Sequence, residues 1–155
     1  MFSKALLGVL VALSALAAPA AAAQEKPVAL ESQVQLLRPA EDGGEPQLVE
    51  PANVVPGDTL VFTTRFHNEG AAPVTDFVVI NPVAPSLELT AEAAGQTDVS
   101  VDGGKAWGPL AQLTVVDETG QERAATREDI THLRWTFAQI QPGETGRVQF
   151  IASVR

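Results

Sequence analysis

Between residues 59 and 67 apolar side chains fall on alternate positions, with Leu60, Phe62 and Phe66 on one face and Thr63, Arg65 and His67 on the other. A period of two is that of a half-buried β-strand. The pattern returns in Val74, Val78 and Ile80, and in Leu87, Leu89 and Ala91 set against Glu88, Thr90 and Glu92. It recurs in Leu113 and Val115, in Leu133, Trp135 and Phe137, and in Val148, Phe150, Ala152 and Val154, while an earlier strand holds Val34 and Leu36. Helical periodicity is almost absent. Only residues 124–129 read as locally helical, with Thr126 and Asp129 at capping-box spacing, and one turn at most is expected there.

Turn formers punctuate these strands: Glu41-Asp42-Gly43-Gly44, Pro56-Gly57-Asp58, Asn68-Glu69-Gly70, Asn81-Pro82, Asp102-Gly103-Gly104, Glu118-Thr119-Gly120 and Pro142-Gly143-Glu144. Proline fixes φ near −65° and glycine admits positive φ, so each breaks a strand. Pro56-Gly57-Asp58-Thr59 and Pro142-Gly143-Glu144-Thr145 echo one another. Proline followed by glycine predicts a type II turn at both, as two equivalent entries into a sheet. Short strands at this spacing predict an all-β fold: an immunoglobulin-like two-sheet antiparallel sandwich of about seven to nine strands, with Trp135 and Phe137 between the sheets. Residues 38–56, with three interior prolines and adjacent glycines, are the expected mobile loop.

The first residues change the compartment. Lys4 precedes an apolar run from Ala5 to Ala17, and Ala21-Ala22-Ala23 offers a small-residue cleavage site, the order of an export signal peptide. The run is too short for a membrane span. Residues 1–23 are therefore read as a leader, and residues 24–155 as a single sandwich domain exported to the periplasm or extracellular space. The chain has no cysteine, so neither a disulfide, a thiolate metal site nor a lipoprotein anchor is expected.

Removing the leader takes away Lys4 and no acid, leaving nine Lys plus Arg against nineteen Asp plus Glu. That balance argues against nucleic acid and anionic lipid as partners. His67 and His132 alternate with apolar neighbours and point away from the core, with no metal-like companion. No nucleophile elbow or phosphate loop occurs. Asp98, Asp102, Asp117 and Glu118 offer oxygen ligands but no twelve-residue calcium loop. No catalytic, cofactor or metal residue is assigned, and no cofactor is expected. Ser100, Asp102, Gly104 and Trp107 stand at the spacing of the aspartate box of sialidases, which they resemble. There the motif is a structural hairpin, so Asp102 and Gly104 are expected to shape a turn with Trp107 packed beside it; sugar stacking on an exposed Trp107 is the functional alternative.

Residues 55–70, Val-Pro-Gly-Asp-Thr-Leu-Val-Phe-Thr-Thr-Arg-Phe-His-Asn-Glu-Gly, resemble the opening of a bacterial surface module, the domain of unknown function eleven family. Val74 to Ile80 with Asn81-Pro82, Leu133-Arg134-Trp135, Gln141-Pro142-Gly143-Glu144 and the strand from Arg147 to Val154 continue the likeness to the last residue, although Asn81 stands where that family commonly has aspartate. The resemblance implies an immunoglobulin-like sandwich of envelope or secreted proteins. Some modules of that family carry a lysine-to-asparagine isopeptide crosslink; Lys26 and Lys105 lie outside alternating core strands, so none is expected here. The functional expectation is a non-catalytic structural or protein-binding module of the bacterial cell envelope, with an envelope or surface protein as partner and self-association left open. The alternatives are a fibre subunit assembled by strand exchange, using an edge or an arm such as Val28 to Leu37, and a carbohydrate-binding module.

Overall fold

The computed structural model describes residues 27–40, 43–95 and 97–155. The leader and its cleavage site, Lys26 and the Glu41-Asp42 part of one turn lie outside the described residues. The elements are β1 (Val28–Arg38), β2 (Gln47–Val49), β3 (Thr59–Asn68), β4 (Val74–Pro82), β5 (Leu87–Leu89), α1 (Ala91–Gly95), β6 (Asp98–Ser100), β7 (Thr114–Val116), β8 (Glu122–Ala124), β9 (His132–Ile140) and β10 (Thr145–Val154). Single 3-10 turns occupy Leu110–Gln112 and Arg127–Asp129. The fold is all-β, as the alternation predicts. A five-stranded sheet, β2-β1-β3-β10-β5, packs on a three-stranded sheet, β4-β9-β6, and β7 and β8 form a separate hairpin. All pairings are antiparallel.

The inward faces meet in two clusters. Leu36, Leu60, Leu89, Phe150 and Ala152 of the larger sheet pack with Val99 and Leu133 of the smaller. Toward the other end, Phe66 and Val148 meet Val79 and Ile140. Phe62 and Phe150, opposite one another in register, stack at 4.6 Å. Trp135 lies 6.3 Å from Phe150, and Phe137 lies 4.8 Å from Phe66, so both side chains face the opposite sheet as expected.

The two Pro-Gly turns are equivalent in detail. Asp58 N–H donates to Val55 O (3.1 Å) and Glu144 N–H to Gln141 O (3.0 Å), with Gly57 at φ 93° and Gly143 at φ 74°, which type II turns require. In each, the fourth residue's carboxylate accepts the first residue's N–H: Val55 to Asp58 at 2.9 Å and Gln141 to Glu144 at 2.7 Å. Each turn also clasps the end of the neighbouring strand. Gly57 N–H donates to Val154 O and Val154 N–H to Asp58 O; Gly143 N–H donates to Asn68 O and Asn68 N–H to Glu144 O. The echo in the sequence is thus a local two-fold relation between β3 and β10.

Four expectations need correction. On β4 the buried residue is Val79, 3% exposed, with Phe77 partly buried against the core, whereas Val78 and Ile80 are 40% and 50% exposed. The segment is apolar on both faces, and the contacts of Phe77 with Phe66 and Phe137 fix the phase. Ala91 does not extend β5 but opens α1. The Thr90 hydroxyl accepts the Ala93 N–H and its carbonyl the Ala94 N–H, which turns the chain into a helix. Residues 38–56 contain β2, whose Val49 pairs with Leu36, so a strand occupies part of the expected loop. β6 and β8, three residues each, are too short to show alternation and bring the strands to ten among the described residues. The turn at Thr126 forms as expected, with Asp129 Oδ2 accepting from Thr126 N–H (2.7 Å) and its hydroxyl (2.9 Å).

Candidate functional site

Residues 100–107 form a closed hairpin. Val99 and Gly108 exchange both backbone hydrogen bonds, at 2.9 and 3.1 Å, and close its base. Inside, Asp102 Oδ1 accepts from the Ser100 hydroxyl (2.8 Å) and from Lys105 and Ala106 N–H (both 3.0 Å). Those donors, Ala106 N–H first and the Ser100 hydroxyl next, hold the Asp102 carboxyl below its usual range. The Ser100 hydroxyl accepts the Gly104 N–H at 2.8 Å, and Gly103 and Gly104 take φ of 79° and 89°. Trp107 donates its indole N–H to Gly104 O at 2.9 Å. The ring then lies on the outer side of the smaller sheet, edge-on to His132 at 6.3 Å, with the Arg134 guanidinium 4.8 Å from its centroid. Asp98 pairs with Arg134 at 2.7 Å across β6 and β9, while the Arg134 Nε is buried with no hydrogen-bond partner. Asp102, Gly104 and Trp107 thus build the hairpin that the spacing predicts, and the indole's N–H and one ring face are engaged within the fold.

Asp117 plays the same part in the β7–β8 turn. Its Oδ1 accepts from the Thr119 hydroxyl (2.6 Å), Thr119 N–H (2.8 Å) and Gln121 N–H (3.0 Å), and these bonds, the hydroxyl first, lower its pKa. Asp98, Asp102 and Asp117 are therefore each committed to a different local partner. Among the described residues no three His, Cys, Asp or Glu side chains converge as a metal cluster. His67 is half-exposed, 3.8 Å from Glu69, while His132, on the outer face as expected, is partly covered by Trp107. No protein-family model, curated protein or solved structure matches the chain.

The outer face of the five-stranded sheet carries what sequence reading missed. Register sets its side chains in rows across β1, β3 and β10: Gln33, Thr63, Gln149; then Glu31, Arg65, Arg147; then Ala29, His67, Thr145. A depression of about 530 Å³ over Ala29 is bounded by Glu31, Arg65, His67, Glu69 and Arg147. Arg65 and Arg147 stand directly opposite each other, where like charges repel. Arg123, Arg127 and Arg134 each hold a carboxylate within 3.2 Å. Among the described residues neither Arg65 nor Arg147 has one within 4 Å; Arg65 donates instead to Gln33 Oε1 at 3.2 Å. The alternation of β3 was legible, but the juxtaposition of Arg65 with Arg147, 82 positions apart, depends on a register the sequence does not print.

The strand edges are the remaining chemistry. β2 covers only residues 36–38 of β1, β5 covers only residues 152–154 of β10, and β6 covers only residues 132–134 of β9. Long stretches of all three strands therefore have no strand on their second side among the described residues. The edge strand β4 is interrupted by Asp76 at φ 51° and ends at Pro82, two features that discourage further pairing. No described helix is long and apolar enough to cross a membrane.

Proposed function

We propose that this chain is an exported, non-catalytic β-sandwich that works by protein contact, as a structural or binding module of the bacterial cell envelope. The observation that carries the reading is the set of uncovered edges on β1, β9 and β10. Unpaired backbone N–H and C=O groups on a sheet edge are templates for another chain. Asp102 and Asp117 are tied into turns and Asp98 into an ion pair with Arg134. The apolar leader and the resemblance of residues 55–155 to the domain of unknown function eleven family support the compartment.

A fibre assembled by strand exchange is the second reading, favoured by the same edges. In it the segment from Val28 would have to abandon nine register positions with β3. With the indole engaged by Gly104, His132 and Arg134, a sugar-stacking role draws no support from Trp107.

A photocrosslinking residue placed in living cells at Gln33 on β1, at Gln149 on β10 or at Thr136 on β9 tests the proposal. The expected result is an adduct with one envelope protein from at least one edge position, on a chain whose N-terminus has been processed. Absence of any adduct from all three positions, or a cytoplasmic unprocessed chain, would sink it.

A further inference from the structure

We infer that the uncovered edge of β10 accepts an extended acidic segment of a partner protein, whose carboxylate completes the row Glu31, Arg65, Arg147. The inference rests on the protein-contact reading above and adds the site and the chemistry of what binds there.

The first observation is geometric. β10 pairs with β3 from Thr145 to Ser153, but on its other side β5 pairs only from Ala152 to Val154. Thr90 N–H closes on Ile151 O, which leaves residues 145–150 of that edge without a strand among the described residues. The second is electrostatic and independent. A strand laid beside β10 continues each existing row by one side chain, about 5 Å from its neighbour. The row containing Arg147 begins with an acid on β1, passes through two arginines and ends on a cation at the open side. A carboxylate in the added position faces a guanidinium with no carboxylate of its own and offsets the Arg65–Arg147 repulsion. The neighbouring rows end in Gln149 and Thr145, which accept polar or small companions.

The other edges differ in sign. β1 ends the same row in Glu31, so a strand there meets an acid. The open part of β9 from Trp135 to Ile140 carries no charge and gives no polarity to a choice. The occupant is therefore a segment alternating acidic with apolar residues, its acids on the outer face of the sheet.

The probe is a fluorescent peptide, Thr-Val-Glu-Val-Glu-Val-Thr, titrated with the purified protein at low ionic strength and read by anisotropy, with the Lys-for-Glu peptide as the counterpart. The Glu peptide should bind and the Lys peptide should not. Arg147→Gln should weaken binding about tenfold, and Arg147→Glu should reverse the preference, while neither variant unfolds at lower urea than the wild type, since each relieves the Arg65–Arg147 repulsion. Amide shifts in NMR spectra should concentrate on residues 145–149. Equal binding of the two peptides, no binding of either, or indifference to Arg147→Gln would overturn the inference. If peptides fail while the crosslink at Gln33 or Thr136 captures a partner, the acidic-segment inference falls and the protein-contact reading stands.

Discussion

Asn68 is the side chain whose removal should be felt most widely for its size. It is fully buried at the end of β3. Its Nδ2 donates to Ala72 O (3.0 Å) and Ile140 O (3.1 Å), and its Oδ1 accepts the Gly70 N–H (3.0 Å). One amide thus ties the β3–β4 loop, the end of β9 and, through its backbone, the β9–β10 turn. Three net hydrogen bonds at about 1 kcal/mol each, one of them to the buried Ile140 carbonyl, put Asn68→Ala at about 3–4 kcal/mol. With a urea slope of about 2 kcal/mol/M, the unfolding midpoint should fall by about 1.5–2 M at unchanged slope.

Asn68→Asp separates this account from simple cavity formation. The introduced carboxylate keeps the bond from Gly70 but faces two carbonyl oxygens in a buried site, so its folded pKa rises above the unfolded value of about 3.9. A group with a raised folded pKa contributes stability below the unfolded pKa and loses it as pH climbs through the folded one. Asn68→Asp should therefore differ least from wild type near pH 4 and most near pH 7, whereas the gap for Asn68→Ala should stay flat. A cost below about 1 kcal/mol for the alanine variant, or a pH-independent gap for the aspartate variant, would refute the reasoning.

Leu133 is wholly buried where β9 meets the larger sheet, and Leu133→Ala should cost about 2–5 kcal/mol in the same urea assay. Gly57→Ala and Gly143→Ala should destabilise by similar amounts, about 1 kcal/mol each, because both hold positive φ and a Cβ at either meets nothing within 4 Å. A marked inequality would argue against the two-fold relation of the turns. Acid should destabilise the fold: Asp129, held low first by Arg123 and then by Thr126 N–H, and Asp102 and Asp117 all have depressed pKa values. The stability they contribute is present above the unfolded pKa of about 4 and is lost as pH falls toward the folded values. Unfolding midpoints measured from pH 6 to pH 2 should fall, and Asp129→Asn should make that fall shallower.

The fold class was legible because β3, β9 and β10 are long and alternate over most of their length, even though Val61 and Thr63 on the outer side of β3 are buried as well. The Pro-Gly turns and the Ser100–Trp107 hairpin were legible for a different reason. Their geometry depends on local residue chemistry, positive φ at glycine and a short acceptor side chain at Asp102, not on what packs against them. The three-residue strands left no periodic trace, and Ala91 fitted a strand pattern until the Thr90 hydroxyl was free to cap a turn. None of these misses alters the layer arrangement.

The misreading of β4 bears on function more directly. Residues 77–80 are Phe-Val-Val-Ile, apolar on both faces, so alternation alone cannot say which side is core. Asp76 at φ 51° breaks the regular extension just before them, and from Phe77 onward the inward side chains are Phe77 and Val79. Val78 and Ile80 are left outside by that phase, beside Thr136 and Arg134 in register on β9. The outer face of the smaller sheet is consequently apolar near β4 and capped by Trp107 near β6, while the outer face of the larger sheet is polar and carries the two opposed arginines. A sandwich with two such unlike faces presents different chemistry to a partner on each side. Arg65 and Arg147, neither paired with a carboxylate among the described residues, give only the larger sheet a charge preference, and the acidic segment is assigned to β10 on that ground.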